Sequence, residues 1–128
     1  MRFIFDTNFI IACLRKKIEI FENIERINED SNLEIIILSP VFKELEKFSL
    51  NKKKKFSDRN LAKIFLQMIK ENKIEVKIVE SNQKNPDEAI KLYCLKNPEV
   101  IIGTLDKKLR KSLNNKILTI KGRKIIFA

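Results

Sequence analysis

The sequence predicts an α/β fold in which a mainly parallel sheet lies between two layers of helices. Three observations carry this. Short runs rich in Ile and Val recur along the chain, segments with helical periodicity fill the gaps between them, and the two kinds alternate from start to end. Such alternation implies right-handed strand–helix–strand crossovers, hence parallel neighbours with helices on both faces.

Taken in order, Arg2 to Phe5 reads as the first strand, rich in β-branched and aromatic residues. Helical segments follow over Phe9 to Leu14 and over Ile18 to Asn28, where Phe21, Ile24 and Ile27 recur at helical spacing. Glu34 to Leu38 is the second strand. Pro40 to Leu50 is a helix with Val41, Leu45 and Phe48 on one face, and Asp58 to Asn72 another with Leu61, Ile64, Phe65, Met68 and Ile69. Ile74 to Val79 is the third strand, and Pro86 to Asn97 the helix after it, with Ile90, Tyr93 and Cys94 in phase. Val100 to Gly103 and Lys116 to Ile120 complete the strands, and Lys121-Gly122-Arg123 turns into an edge strand over Lys124 to Phe127. A length of 128 residues predicts one domain, 1–128.

Composition narrows the function. Hydrophobic content of 44% with 34% charged is that of a globular chain and excludes a disordered one. The longest apolar runs, such as Ile35 to Leu38, are far short of the roughly 20 residues that cross a bilayer. The N-terminus lacks a signal-peptide pattern, so no membrane association and a cytoplasmic location are expected. Cys13 and Cys94 each lie in an apolar helical pattern with no CxxC neighbour, which excludes a thiolate metal site and makes them core residues. Glycine occurs only at 103 and 122, so neither a Walker A loop nor a dinucleotide fingerprint can be built. The formal charge of +10 suits a polyanionic partner, although Lys-rich, Ile-rich composition alone also produces it. Lys52 to Lys55 form one basic run between two helices, and Lys107, Lys108, Arg110 and Lys111 a second basic stretch. Both are candidates for gripping a nucleic-acid backbone.

Ligands of open parallel sheets bind where the strands end at their carboxyl side. Asp6 directly follows the first strand, Glu44 lies one turn into the helix after the second, Asp87 opens the helix after the third, and Asp106 follows the fourth by three residues. Helix capping is the competing reading. Asp6 and Asp106 stand where N-caps stand, and Asn85-Pro86-Asp87-Glu88 reads as a capping box with Pro at the first helical position. Glu44 is too deep in its helix to cap it. Facing Val41, Leu45 and Phe48 inward leaves Glu44 at the margin of the buried stripe and points Glu46 to solvent; the same wheel sets Asp87 beside Ile90 and turns Glu88 away. Four converging carboxylates repel unless a cation joins them, and an oxygen-only set suits Mg²⁺ or Mn²⁺. With no histidine in the chain, a metal that lowers the pKa of water is the expected source of the nucleophile. Phosphodiester hydrolysis fits these parts.

At these residues the sequence resembles the PIN-domain nucleases, in particular small archaeal-type members similar to ribosomal-RNA-processing endonucleases. Phe5-Asp6-Thr7-Asn8-Phe9-Ile10 resembles the opening Asp-Thr-Asn motif, and Ser39-Pro40-Val41-Phe42-Lys43-Glu44-Leu45-Glu46 the Glu-bearing helix. Asn85-Pro86-Asp87-Glu88-Ala89-Ile90 and Thr104-Leu105-Asp106-Lys107-Lys108-Leu109-Arg110 resemble the third and fourth motifs, so the resemblance runs nearly end to end. It implies a three-layer α/β/α fold and a metal-dependent endoribonuclease. It also implies that Asp6, Glu44, Asp87 and Asp106 are metal ligands or position the attacking water, with Asn8 and Thr104 orienting them by hydrogen bonds. Glu88 replaces what is often a second Asp. Single-stranded or looped RNA is the implied substrate, Mg²⁺ or Mn²⁺ the cofactor, and a homodimer the implied assembly, for which Leu92 and Leu95 lie off the inferred core face. A VapC-type toxin, which would need an antitoxin partner, and a non-catalytic RNA-binding PIN module are the alternatives; four intact acids count against the latter. A phosphotransferase using Asp6 as nucleophile commonly wants a second Asp two residues on, where this chain has Asn8.

Overall fold

β1 (Arg2–Phe5) forms the middle of the molecule because Phe3, Ile4 and Phe5 are wholly apolar and bury on both faces. The computed structural model describes residues 1–128. After β1 come α1 (Thr7–Arg15), α2 (Ile20–Ile27), β2 (Glu34–Leu38), α3 (Ser39–Leu50), α4 (Phe56–Lys70), β3 (Lys77–Val79), α5 (Pro86–Lys96), β4 (Ile101–Gly103), α6 (Lys107–Lys111), β5 (Ile117–Lys121) and β6 (Lys124–Phe127). The six strands form one sheet in the order β3-β2-β1-β4-β5-β6. All pairings are parallel except β5 with β6, joined by a tight turn in which Gly122 takes a positive φ of 61°. The α/β class, the mainly parallel sheet and the turn into an edge strand all stand as the sequence predicts, and that edge strand pairs antiparallel. No helix is long and apolar enough to cross a membrane.

Most element ends lie within two residues of the expectation, and three departures have a physical reason. The third strand pairs only from Lys77, while Ile74 and Val76 pack on the core from irregular backbone. The helix expected from Asp58 begins at Phe56, whose ring stays outside the core and so gave no inward periodicity. A short helix, α6, follows Asp106; it buries only Leu109 and carries no periodic signal.

The order of the strands sets the site. The chain runs outward from β1 through β2 to β3, then returns to the other side of β1 through β4 to β5, so the crossover direction reverses between β1 and β4. Loops leaving those two strands part there and leave a crevice at the carboxyl edge. The two strands are tied together by Phe5↔Gly103 pairing and by the Asp6 N–H donating to the Gly103 carbonyl at 3.0 Å. Gly103 is required by close approach rather than by backbone angle. A Cβ built on it falls 2.6 Å from Phe5 Cδ1 and 2.9 Å from Phe9 Cε1, and those buried rings stack on each other at 5.6 Å. Gly103→Ala is therefore expected to lower stability by about 1–3 kcal/mol, the range for overpacking, and to displace Thr104 beside it. An unchanged melting midpoint would contradict that packing.

Cys13 and Cys94 are buried core residues, as expected, and burial pushes both thiols up to about 12.

Candidate active site

Asp6 directly follows β1 at the carboxyl edge of the sheet, where the crossovers part. It occupies the N-cap position of α1, where the Asn8 N–H lies near its carboxylate without completing a capping hydrogen bond; Oδ2 accepts a hydrogen bond at 3.0 Å from the Thr104 hydroxyl, which arrives from the end of β4. That hydroxyl in turn accepts from the Asp106 N–H at 3.1 Å, so Thr104 is held from both sides and fixes the Asp6 carboxylate. Asp6 is only 5% exposed. Burial raises its carboxyl above the usual 3.8; Thr104 opposes the shift, Asp87 adds to it, the Asn8 backbone N–H opposes it, and Glu44 adds to it. Three carboxylates from β1, α3 and α5 thus share one field.

The cap alternative resolves differently at each acid. Asn85 caps α5, its Oδ1 accepting from the Asp87 and Glu88 N–H groups at 2.9 and 3.2 Å, which leaves the Asp87 carboxylate uncommitted and half-buried. Asp106 is a cap: its Oδ1 accepts from the Lys108 and Leu109 N–H groups at 2.8 and 3.2 Å, and the residue is exposed. Only its Oδ2 remains for other partners. Glu44 is exposed and borders the crevice from α3. Glu46 does not point to solvent as the helical wheel suggested. It is half-buried against α4, paired with Lys70 at 3.5 Å, but on the face away from the crevice. Glu88 turns outward to Lys91 at 3.8 Å, and the Asn8 side chain makes no hydrogen bond to Asp6, lining the cleft instead.

As a cation site the arrangement is incomplete on its own, because no three carboxylates stand close enough to hold one ion among themselves. Mg²⁺ asks for less, since it usually takes one or two carboxylates and completes its shell with water and substrate phosphate. Two observations fit that demand. None of the seven ion pairs involves Asp6, Glu44, Asp87 or Asp106, so their charge is left unneutralised in a strongly basic protein. The buried hydroxyl of Thr7, beside Asp6 at the cleft, has no hydrogen-bond partner.

Two recesses open on either side of Glu44 and Lys47, one of about 650 Å³ towards α1 and one of about 310 Å³ towards α5. Their cations are largely not those the sequence singled out. Of Lys52, Lys53, Lys54 and Lys55, all exposed in the α3–α4 connection, only Lys54 lines a recess. Lys107, Lys108, Arg110 and Lys111 are exposed on α6 and line neither. Arg15, Lys43, Lys47 and Lys84 do, and sequence reading passed over them. Lys43 and Lys47 were findable, because one is Glu44's chain neighbour and the other lies three residues on along the same helix face.

Comparison with known proteins agrees with the fold. The family described as a PIN-like domain matches residues 3–124. Ribonuclease VapC4 of Methanocaldococcus jannaschii is 33% identical over 122 residues, spanning 93% of this chain and 89% of its own. The solved PIN domain endonuclease Utp24 superposes with a TM-score of 0.77 at 25% identity, over 98% of this chain and 90% of the other. VapBC2 from Rickettsia felis, solved bound to a DNA fragment from its promoter, shares the fold at a TM-score of 0.65 and 19% identity, over 94% of this chain and all of the other.

Proposed function

This chain belongs to the PIN-like domain family, and from that premise we propose that it is a metal-dependent endoribonuclease hydrolysing RNA phosphodiester bonds at the Asp6 crevice. The observation that supports this most is Asp6 itself: buried, pressed by the charges of Asp87 and Glu44, and paired with no cation, at the point where the sheet's crossovers diverge. One or two of Asp6, Glu44, Asp87 and Asp106 would hold a given Mg²⁺ or Mn²⁺ ion, Asp106 through its free Oδ2, with water and substrate phosphate completing the shell. When bound, the ion supplies Lewis acidity, easing loss of a proton from water and offsetting charge on the phosphate. Thr104 keeps the Asp6 carboxylate in one orientation, which is what preorganisation of such a site demands. Lys43, Lys47 and Lys84 bind backbone phosphates on either side of Glu44.

Cleavage of a labelled single-stranded RNA, beside hydrolysis of a small phosphomonoester, tests the reading. RNA should be cut internally and the monoester left intact; the opposite pattern would indicate a phosphatase. Neutralising Lys43 and Lys47 is expected to weaken RNA binding and to make its dependence on salt shallower, by about 0.7 in logarithmic slope for each phosphate no longer neutralised. The same change at Lys52, Lys53 and Lys55 should alter the slope less, and a salt series of binding curves compares them.

A VapC-type toxin role is favoured by the name of the relative, Ribonuclease VapC4, whereas a role in ribosomal RNA processing rests on the motif resemblance. Growth arrest on expression, relieved by a co-expressed antitoxin, would assign the former; accumulation of ribosomal RNA precursors on deletion would assign the latter. Leu92 and Leu95 on α5, 36% and 80% exposed, are the apolar positions available to a homodimer.

A further inference from the structure

The two recesses beside Glu44 differ in chemistry, and the difference has a consequence for substrate selection. The smaller one carries Lys43 and Lys84 among Ser39, Ser81 and Gln83 and has no hydrophobic lining, which suits a sugar–phosphate backbone. The larger one sets an apolar patch that includes the Phe48 ring among a polar majority, which includes the amides of Asn8 and Asn51 and the cations Arg15, Lys47 and Lys54. Its volume of about 650 Å³ falls in the range of ligand pockets, and an aromatic ring beside amides and cations suits a base together with its phosphate.

Resting on the nuclease reading above, we propose that the recess between α1 and α3 is a nucleobase pocket that selects the nucleotide on one side of the bond to be cut. Phe48 provides the stacking surface. Its ring lines the recess, and the Lys54 ammonium stands 5.7 Å from the ring centroid, where an incoming base displaces it towards that base's own phosphate. The Asn51 amide is oriented by the Lys53 N–H donating to its Oδ1 at 3.0 Å, which turns its amino group into a fixed donor for a base edge. The Asn8 side chain is exposed and makes no hydrogen bond, so both its donor and its acceptor are available. Lys47, shared by both recesses and in no ion pair, sits where the strand passes from base to backbone contacts. A base can enter only when it is unstacked, so the pocket restricts cutting to single-stranded or looped RNA.

The test is cleavage of a random-sequence single-stranded RNA with Mn²⁺, followed by sequencing of the cut ends. Wild type should favour one base at one position flanking the cut by about tenfold, the scale of a polar contact to a base edge held in place by stacking. Phe48→Leu, which keeps a core hydrophobe without a π face, and Asn51→Ala should flatten that preference, and Phe48→Tyr should preserve it. Lys43→Ala and Lys84→Ala should slow cutting of all sequences alike. A second measurement, in EDTA, follows fluorescence of a single strand carrying 2-aminopurine, which should brighten as wild type lifts that base from its neighbours' stack and should not with Phe48→Leu. RNA cutting with no base preference, or with a preference that survives Phe48→Leu and Asn51→Ala, overturns the pocket and leaves the nuclease reading standing. Brightening that depends on Phe48 without any RNA cutting upholds the pocket and overturns the nuclease reading; neither brightening nor cutting overturns both.

Discussion

Asp6→Asn is expected to lower RNA cleavage by on the order of a hundredfold or more, the scale of removing one preorganised electrostatic element from an active site. Glu44→Gln and Asp87→Asn should lose comparable activity, since their charges reach Asp6 and no cation pairs with either. Asp106→Asn is the informative fourth. Its Oδ1 serves the N–H groups of α6, and Asn supplies the same acceptor, so a comparable loss would assign the effect to Oδ2 and to charge rather than to helix capping. Glu46→Gln is the control: it removes an ion pair with Lys70 on the other side of α3, of the kind worth at most about 1 kcal/mol, and should leave the rate near wild type. Single-turnover rates on one labelled RNA compare all five. Full activity in two of the first three variants, with wild-type folding, would overturn the site.

In metal-free protein the same Asp6→Asn change, which costs activity when metal is present, should raise stability. Burial lifts the folded carboxyl above its unfolded value of 3.8, so the folded state prefers the proton. Stability contributed by the protonated form is fully present below the unfolded value, is lost as pH rises through the folded value, and is gone at neutral pH. Asn carries no charge and still accepts from the Thr104 hydroxyl, so in EDTA at pH 7 the variant should melt above wild type, with the gap closing below about pH 3.8. Added Mn²⁺ should raise the wild-type midpoint by mass action and the variant's much less. Asp106 should behave otherwise, because it is a cap: Asp106→Asn should melt near wild type and Asp106→Ala should cost about 1 kcal/mol. A variant at Asp6 that melts lower in EDTA at neutral pH would mean its charge is stabilised in the fold, contrary to the burial of that carboxylate.

The contrast between Asp6 and Asp106 marks how far the sequence could be read. Both are Asp residues following a strand and preceding a helix, and nothing local separates ligand from cap. What separates them is the Thr104 hydroxyl reaching Asp6 across 98 positions of chain, a contact made only when β4 pairs with β1. The strands themselves were legible because both faces of β1, β2 and β4 are buried, which demands continuous Ile, Val and Phe. α6 was not, since a five-residue helix with one buried side chain has no period to detect. The basic runs Lys52–Lys55 and Lys107–Lys111 drew notice by density, yet what lines the recesses is set by helix phase. Pro40, Lys43, Glu44 and Lys47 share one face of α3, and that face looks onto the strand ends. Glu46 shows the limit of the wheel, because the core stripe of α3 is flanked by α4 on one side and by the crevice on the other, and both flanks look alike in sequence.

The central claim is tested most directly by stripping the protein of metal with EDTA, removing the chelator, and following cleavage of a 5′-labelled single-stranded RNA as Mn²⁺ is added back to wild type and to Asp6→Asn. Cutting should be absent in the stripped wild type, return with Mn²⁺ in a saturable way, and fail to return in Asp6→Asn at any concentration that saturates the wild type. Cutting that ignores EDTA, or that Mn²⁺ restores equally in both proteins, would contradict a metal-dependent site at Asp6.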